Sequence, residues 1–228
     1  MNSAQKVIKY VAIAFAILLS INIVVFGLKI VYVVLDSTNL IHNNSNNKIS
    51  NVNFNEYSSY LDIDLKVSNL TIKRGDTFRY ESNVNGLESV QDGNKLVIKD
   101  QDNNIFKRSN SYVTLYVPES LVFDKVVINM GVGTLNINDI DLFDATLNLG
   151  VGEANIESNL LGTSKIECGI GEVNLNLSLP QEEYTFKLEK GIGEIELNKV
   201  SMGNTTVGNG NNIIDVNGGI GEINIKTK

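Results

Sequence analysis

The sequence predicts a mainly β chain: a single-chain β-solenoid preceded by one N-terminal transmembrane helix. Three observations carry that reading. A Gly-aliphatic-Gly motif occurs in five places, as GVGTLNI from Gly131, GVGEANI from Gly150, GIGEVNL from Gly169, GIGEIEL from Gly191 and GIGEINI from Gly219. Repeats about 20 residues apart in a β-patterned chain mark a solenoid, because one coil cannot bury its apolar face alone. The parity of the apolar residues reverses at each motif, and a single uncharged run, YVAIAFAILLSINIVVFGL over residues 10–28, stands apart from the β pattern.

Taken in order, residues 1–9 read as a short cytoplasmic tail and residues 10–35 as the anchor. About 20 apolar residues in a helix cross a hydrocarbon core of about 30 Å. Ser20 and Asn22 are tolerated within the run because a helix satisfies its own backbone. A cleaved signal peptide has a shorter apolar region, about 7–15 residues, and a small-residue cleavage site, whereas here bulky IVYVVL follows Lys29. No cysteine lies nearby to take a lipid. Lys6 and Lys9 flank the start while Asp36 offsets Lys29 at the far end, so the charge bias sets the N-terminus inside and the body outside. Residues 36–59 are polar, Asn-rich and aperiodic, as a tether is, and the lone histidine, His42, reads there as solvated.

Residues 60–228 form the expected solenoid. In the second copy Phe143, Ala145, Leu147, Leu149 and Val151 hold odd positions, and Ala154 and Ile156 hold even ones. Side chains alternate across a strand, so parity cannot reverse without a break in its regularity. The G-[IV]-G-E motif is therefore read as a corner, with Val132, Val151, Ile170, Ile192 and Ile220 stacked inward. The same reversal precedes the glycines, in LDIDLKVSNLTI, where VSNLTI aligns with VGTLNI. Residues 75–121 carry turn signals at Asn85-Gly86 and Asp92-Gly93, as hairpins or coils with longer loops do, and residues 201–212 read as a loop. Stacked coils place Glu153, Glu172, Glu194 and Glu222 in one outer column. Two carboxylates about 4.8 Å apart in water repel by roughly 0.9 kcal/mol, and physiological salt screens nearly half of that, so no metal is needed to hold the column.

The chemistry is sparse. A net charge of -7 supplies no basic field for nucleic acid. G-I-G-E lacks the third glycine and the strand–helix unit of a dinucleotide site. Cys168 has inward parity and reads as a small core residue. Asp139, Asp141 and Asp144 in NDIDLFD read as a solvated turn; the alternative is a wall-polysaccharide enzyme using such carboxylates. Asn136, Asn155, Asn174 and Asn224, with Glu196 in the fourth copy, read as a stacked amide ladder. No catalytic, cofactor-binding or metal-binding residue is assigned. Lys226 and Lys228 are expected to blunt the last coil edge and keep the body monomeric.

The order LDIDLKVSNLTIKRGDTFRYE, YVTLYVPESLVFDKVVINMGVGTLNI and the repeated corners resembles the toast-rack family of bacterial cell-envelope proteins, whose members carry an adhesin label, over residues 58–228. That resemblance implies a β-solenoid fold, an N-terminal anchor and a place in the envelope. Some members resemble accessory proteins of envelope stress systems, and the family pattern has no catalytic residues to carry over. The expectation is a non-catalytic protein acting by contact, with the membrane and with envelope proteins or wall glycans as partners.

Overall fold

The computed structural model describes residues 49–54, 58–101 and 110–228. The anchor expected at 10–35 lies outside these residues, and among those described no helix is long and apolar enough to cross a membrane. The described chain is mainly β. Its strands are β1 (Ser50–Asn53), β2 (Tyr60–Val67), β3 (Asn69–Arg74), β4 (Arg79–Ser82), β5 (Leu87–Asp92), β6 (Lys95–Asp100), β7 (Tyr112–Val117), β8 (Lys125–Asn138) and β9 (Leu142–Phe143). They continue as β10 (Ala145–Glu157), β11 (Leu160–Leu161), β12 (Thr163–Asn176), β13 (Tyr184–Glu189), β14 (Ile192–Leu197), β15 (Val200–Met202), β16 (Thr205–Gly208) and β17 (Asn212–Lys226). β1 lies within the stretch read from sequence as tether, where it pairs antiparallel with β4.

The repeats stack in parallel and in register. β10 pairs with β8 on one side and β12 on the other, so that Gly152 faces both Gly133 and Gly171. Each long strand is bent at its glycines. In β10 the buried residues before the bend are Ala145 and Leu147, and those after it are Ala154 and Ile156. The short strands β9 and β11 pair Leu142 with Leu160, and both leucines are buried. The first turn, β2–β3, aligns with β8 as the sequence alignment requires: Val67 faces Val132 and Leu70 faces Leu135.

The glycines answer to their neighbours as much as to the bend. Gly152 has φ +146, and a Cβ there would lie 1.8 Å from the carbonyl oxygen of Gly133. Gly150 would place its Cβ 2.4 Å from the Gly131 oxygen. Both positions approach the preceding layer too closely for any side chain. The first corner, Lys66-Val67-Ser68, presents its carbonyls to Gly131 and Gly133, so as the acceptor side of that contact it needs no glycine.

The order of layers departs from chain order at both ends. β17, the last strand, lies between β12 and the β13–β14 turn. β2 likewise sits between β6 and β8, and β3 between β7 and β8. Lys226 therefore lies beside Asn176 in a strand paired on both sides, and the lysine-guarded terminal edge is corrected: the outermost layer at this end is antiparallel. β16 covers β13 and β15 covers β14, so the stretch expected as a loop at 201–212 supplies edge strands. At the other end β4 and β5 run antiparallel to β7 and β6. Aromatics close both ends, with Phe78 6.2 Å from Phe123 and Tyr184 5.4 Å from Phe186 between ring centroids.

Candidate functional site

The bent corners build the most distinctive surface of the protein. Parity carried through a straight strand places Val151 on the side of Leu147, but the strand is not straight there. The bend across Gly150 and Gly152, with positive φ at the second glycine, leaves the middle side chain on the outer face. Val132, Val151, Ile170, Ile220 and Ile192 are 46%, 46%, 49%, 50% and 73% exposed. They do stack, facing one another in the order Val132, Val151, Ile170, Ile220, Ile192, but outward. The inward stack expected from the sequence is corrected to an exposed aliphatic ridge. Val67 extends it by one residue through its pairing with Val132. Five steps of about 4.8 Å give the ridge a length of about 24 Å.

A column of carboxylates runs beside the ridge. Glu153 faces Glu172, Glu172 faces Glu222 and Glu222 faces Glu194, all exposed, with Thr134 taking the place in β8. The expected column forms, with Glu194 outermost because of the layer order. Beyond it lies the amide ladder. Asn155 donates to Asn136 at 3.2 Å, Asn174 to Asn155 at 3.1 Å and Asn224 to Asn174 at 3.1 Å. The same amides hold the carboxylates: Asn155 donates to Glu153 at 2.9 Å and Asn174 to Glu172 at 3.0 Å. On the other flank a shallow trough of about 640 Å³ passes over Gly131, Gly150 and Gly169, walled by Asn129, Asn148 and Glu167.

The remaining residues considered from sequence take structural places. Asp141 Oδ1 accepts from the Asn159 backbone N–H at 3.3 Å and from its side-chain amide at 2.9 Å. Asp144 Oδ1 accepts from the Thr163 N–H at 2.8 Å, and Asp139 holds a turn at φ 58. These contacts tie one turn to the next. Cys168 is buried, and burial pushes its thiol pKa up, which suppresses the thiolate. Among the described residues no group of three or more His, Cys, Asp or Glu is placed to hold a metal ion. His42 lies outside the described residues.

Sequence reading missed Asn159. Its Oδ1 accepts from the Ser178 N–H at 3.0 Å, the Leu179 N–H at 3.2 Å and the Tyr184 hydroxyl at 3.3 Å. No motif marks it, because its partners come from the irregular connection after β12 and from the first residue of β13. Asn159→Ala is expected to destabilise the protein by about 2–3 kcal/mol, since it strands several donors at once. Asn217→Ala, which removes one exposed bond to Glu189, is expected to cost under about 0.5 kcal/mol. Chemical denaturation compares the two; equal costs would remove Asn159 from this role.

No protein-family model matches the chain, and no curated protein matches it. Its fold is similar to the crystal structure of a candidate cell adhesion protein from Clostridium sporogenes ATCC 15579. The two are 20% identical with a TM-score of 0.58, over 79% of this chain and 99% of that one. A candidate adhesin from Bacteroides fragilis NCTC 9343 aligns over 79% of this chain and 97% of its own, at 12% identity and a TM-score of 0.34. A candidate lipid-binding protein from Parabacteroides distasonis ATCC 8503 aligns over 78% and 96%, at 10% identity and a TM-score of 0.33. Of these three, the Clostridium sporogenes likeness alone has a TM-score that bears on this chain, and at 20% identity it is a likeness of fold.

Proposed function

We propose that this chain is a non-catalytic, membrane-tethered protein of the bacterial cell envelope that acts by contact, as an adhesin-like scaffold or an accessory of envelope stress signalling. In this reading residues 10–35 are a single-pass anchor with the N-terminus in the cytoplasm. Residues 60–228 are a monomeric extracytoplasmic β-solenoid of the toast-rack kind. The observation that carries it is the aliphatic ridge. Five side chains 46% to 73% exposed form a continuous aliphatic stripe, and the largest contiguous apolar patch on a protein surface is often a functional one. The name of the Clostridium sporogenes neighbour agrees with a contact role. The enzyme alternative is weaker, because two of the three carboxylates it would use, Asp141 and Asp144, are engaged in holding adjacent turns, leaving only Asp139 of the cluster.

A photo-cross-linking side chain at Ile170 in intact cells tests this reading. It is expected to form an adduct with an envelope protein or wall polymer, identified by mass spectrometry. The same group at Val122, exposed but off the ridge, is expected to form none. No adduct at Ile170, or equal yields at both positions, sinks the contact reading.

A further inference from the structure

We infer that the ridge and its carboxylate column together form a docking site for a cationic amphipathic helix. This rests on the contact reading above and names the partner's chemistry. The ridge supplies the apolar stripe, and the flank on one side carries Glu153, Glu172, Glu222 and Glu194 in successive layers. A bound segment must therefore present apolar side chains beside a row of Lys or Arg. The trough flank is mixed: Glu167 pairs with Lys165 at 2.5 Å, and Lys66 lies in the lining. The demand for positive charge thus comes from the glutamate column.

The spacing selects a helix. Ridge side chains recur about every 4.8 Å. A helix lying along the ridge returns its apolar face every 5.4 Å or so, and about 24 Å of ridge matches roughly 16 residues. Same-face residues of an extended strand recur about every 6.8 Å and fall out of step within two layers. A second copy of this chain is disfavoured. Antiparallel ridges packed about a two-fold axis bring the two glutamate columns together. In a parallel pair each column faces the mixed trough flank, where Asp64 and Glu167 stand with Lys66 and Lys165, so no continuous row of positive charge meets the glutamates. An anionic partner is repelled by the column.

The test uses the full chain in zwitterionic nanodiscs, with empty discs as background. The probe is a fluorescent 18-residue Leu/Lys peptide designed as an amphipathic helix, and the control replaces each Lys by Glu. Saturable binding above background is expected for the Lys peptide only. Val151→Ser with Ile170→Ser, and separately Glu153→Gln with Glu172→Gln and Glu222→Gln, are each expected to raise Kd about tenfold or more. Added salt should weaken wild-type binding and have little effect on the glutamine variant. All substituted side chains are exposed, and unchanged thermal melts establish that the variants fold. Equal binding of the Glu peptide, or unchanged affinity in either variant, overturns the inference. So does ridge-dependent self-association without peptide binding, which would make a second copy the occupant. Should the peptide fail while Ile170 still cross-links in cells, only the partner's chemistry is wrong.

Discussion

Gly171→Ala is expected to cost at least about 4 kcal/mol, a loss beyond the usual range for one substitution, because two independent penalties meet at that atom. The residue holds φ +145, and a Cβ there would lie 1.7 Å from the Gly152 carbonyl oxygen and 2.8 Å from its carbon. The backbone conformation alone costs an alanine roughly 1–3 kcal/mol. The steric term is larger because its partner is backbone, held in register by bonds on both sides. β12 pairs with β10 and β17, so relief needs the layers to part and the ladder around the corner to stretch. Two other glycines separate the terms. Gly93 has φ +55 with nothing within 4 Å of a Cβ, so Gly93→Ala should cost about 1–2 kcal/mol from conformation alone. Gly203 has open space and no positive φ, so Gly203→Ala should fall within about 0.5 kcal/mol of zero. Denaturant midpoints for the three variants decide the matter. A Gly171→Ala midpoint no lower than that of Gly93→Ala would show that the layers are not in contact at the corner.

Those corners were the most legible feature of the sequence, and also where a simple rule misled. Register, glutamate column and amide ladder follow from identical motifs stacking on themselves, so alignment of VGEANI with GEVNL-type copies finds them. The ridge does not follow, because alternation of faces holds only along a straight strand, and Val151 occupies the bend. Layer order is harder still. Gly171 accepts Gly152 on one side and Gly221 on the other, yet Gly193 offers the same local match. Pairing between near-equal repeats is degenerate. The spacings do record the answer in retrospect. The third copy starts at 169, the fourth at 191 and the fifth at 219, both intervals exceeding the 19 residues between the ladder partners Asn155 and Asn174. The first excess lets the chain step over the layer later filled by β17. The second holds β15 and β16, which run back along the outermost layer before the chain returns inward.

Removing residues 212–228 is therefore expected to do more than shorten the stack by one turn. In a solenoid built in chain order the last coil is the outer one, and its loss trims the end. Here β17 carries Ile214, Val216, Ile223 and Ile225, all buried, and bonds to β12 on one face and to β13 and β14 on the other. Burying four such side chains contributes up to roughly 6–12 kcal/mol, comparable with the whole stability of an ordinary domain, about 5–15 kcal/mol. The deletion also strands Tyr184, Phe186 and Leu188 of β13, buried in the intact protein, with no parallel partner. Hydrogen exchange on the full chain should find β17 amides among the slowest, against the usual fraying of terminal segments. In the truncated chain, amides of β13 and β14 should lose their protection, and the cooperative melt should disappear. The competing outcome has a definite mechanism: the fourth repeat matches β12 nearly as well as the fifth does, and could move in by one layer. β13 and β14 amides as protected as in the full chain would show that it does so, and that β17 is dispensable to the stack it now divides.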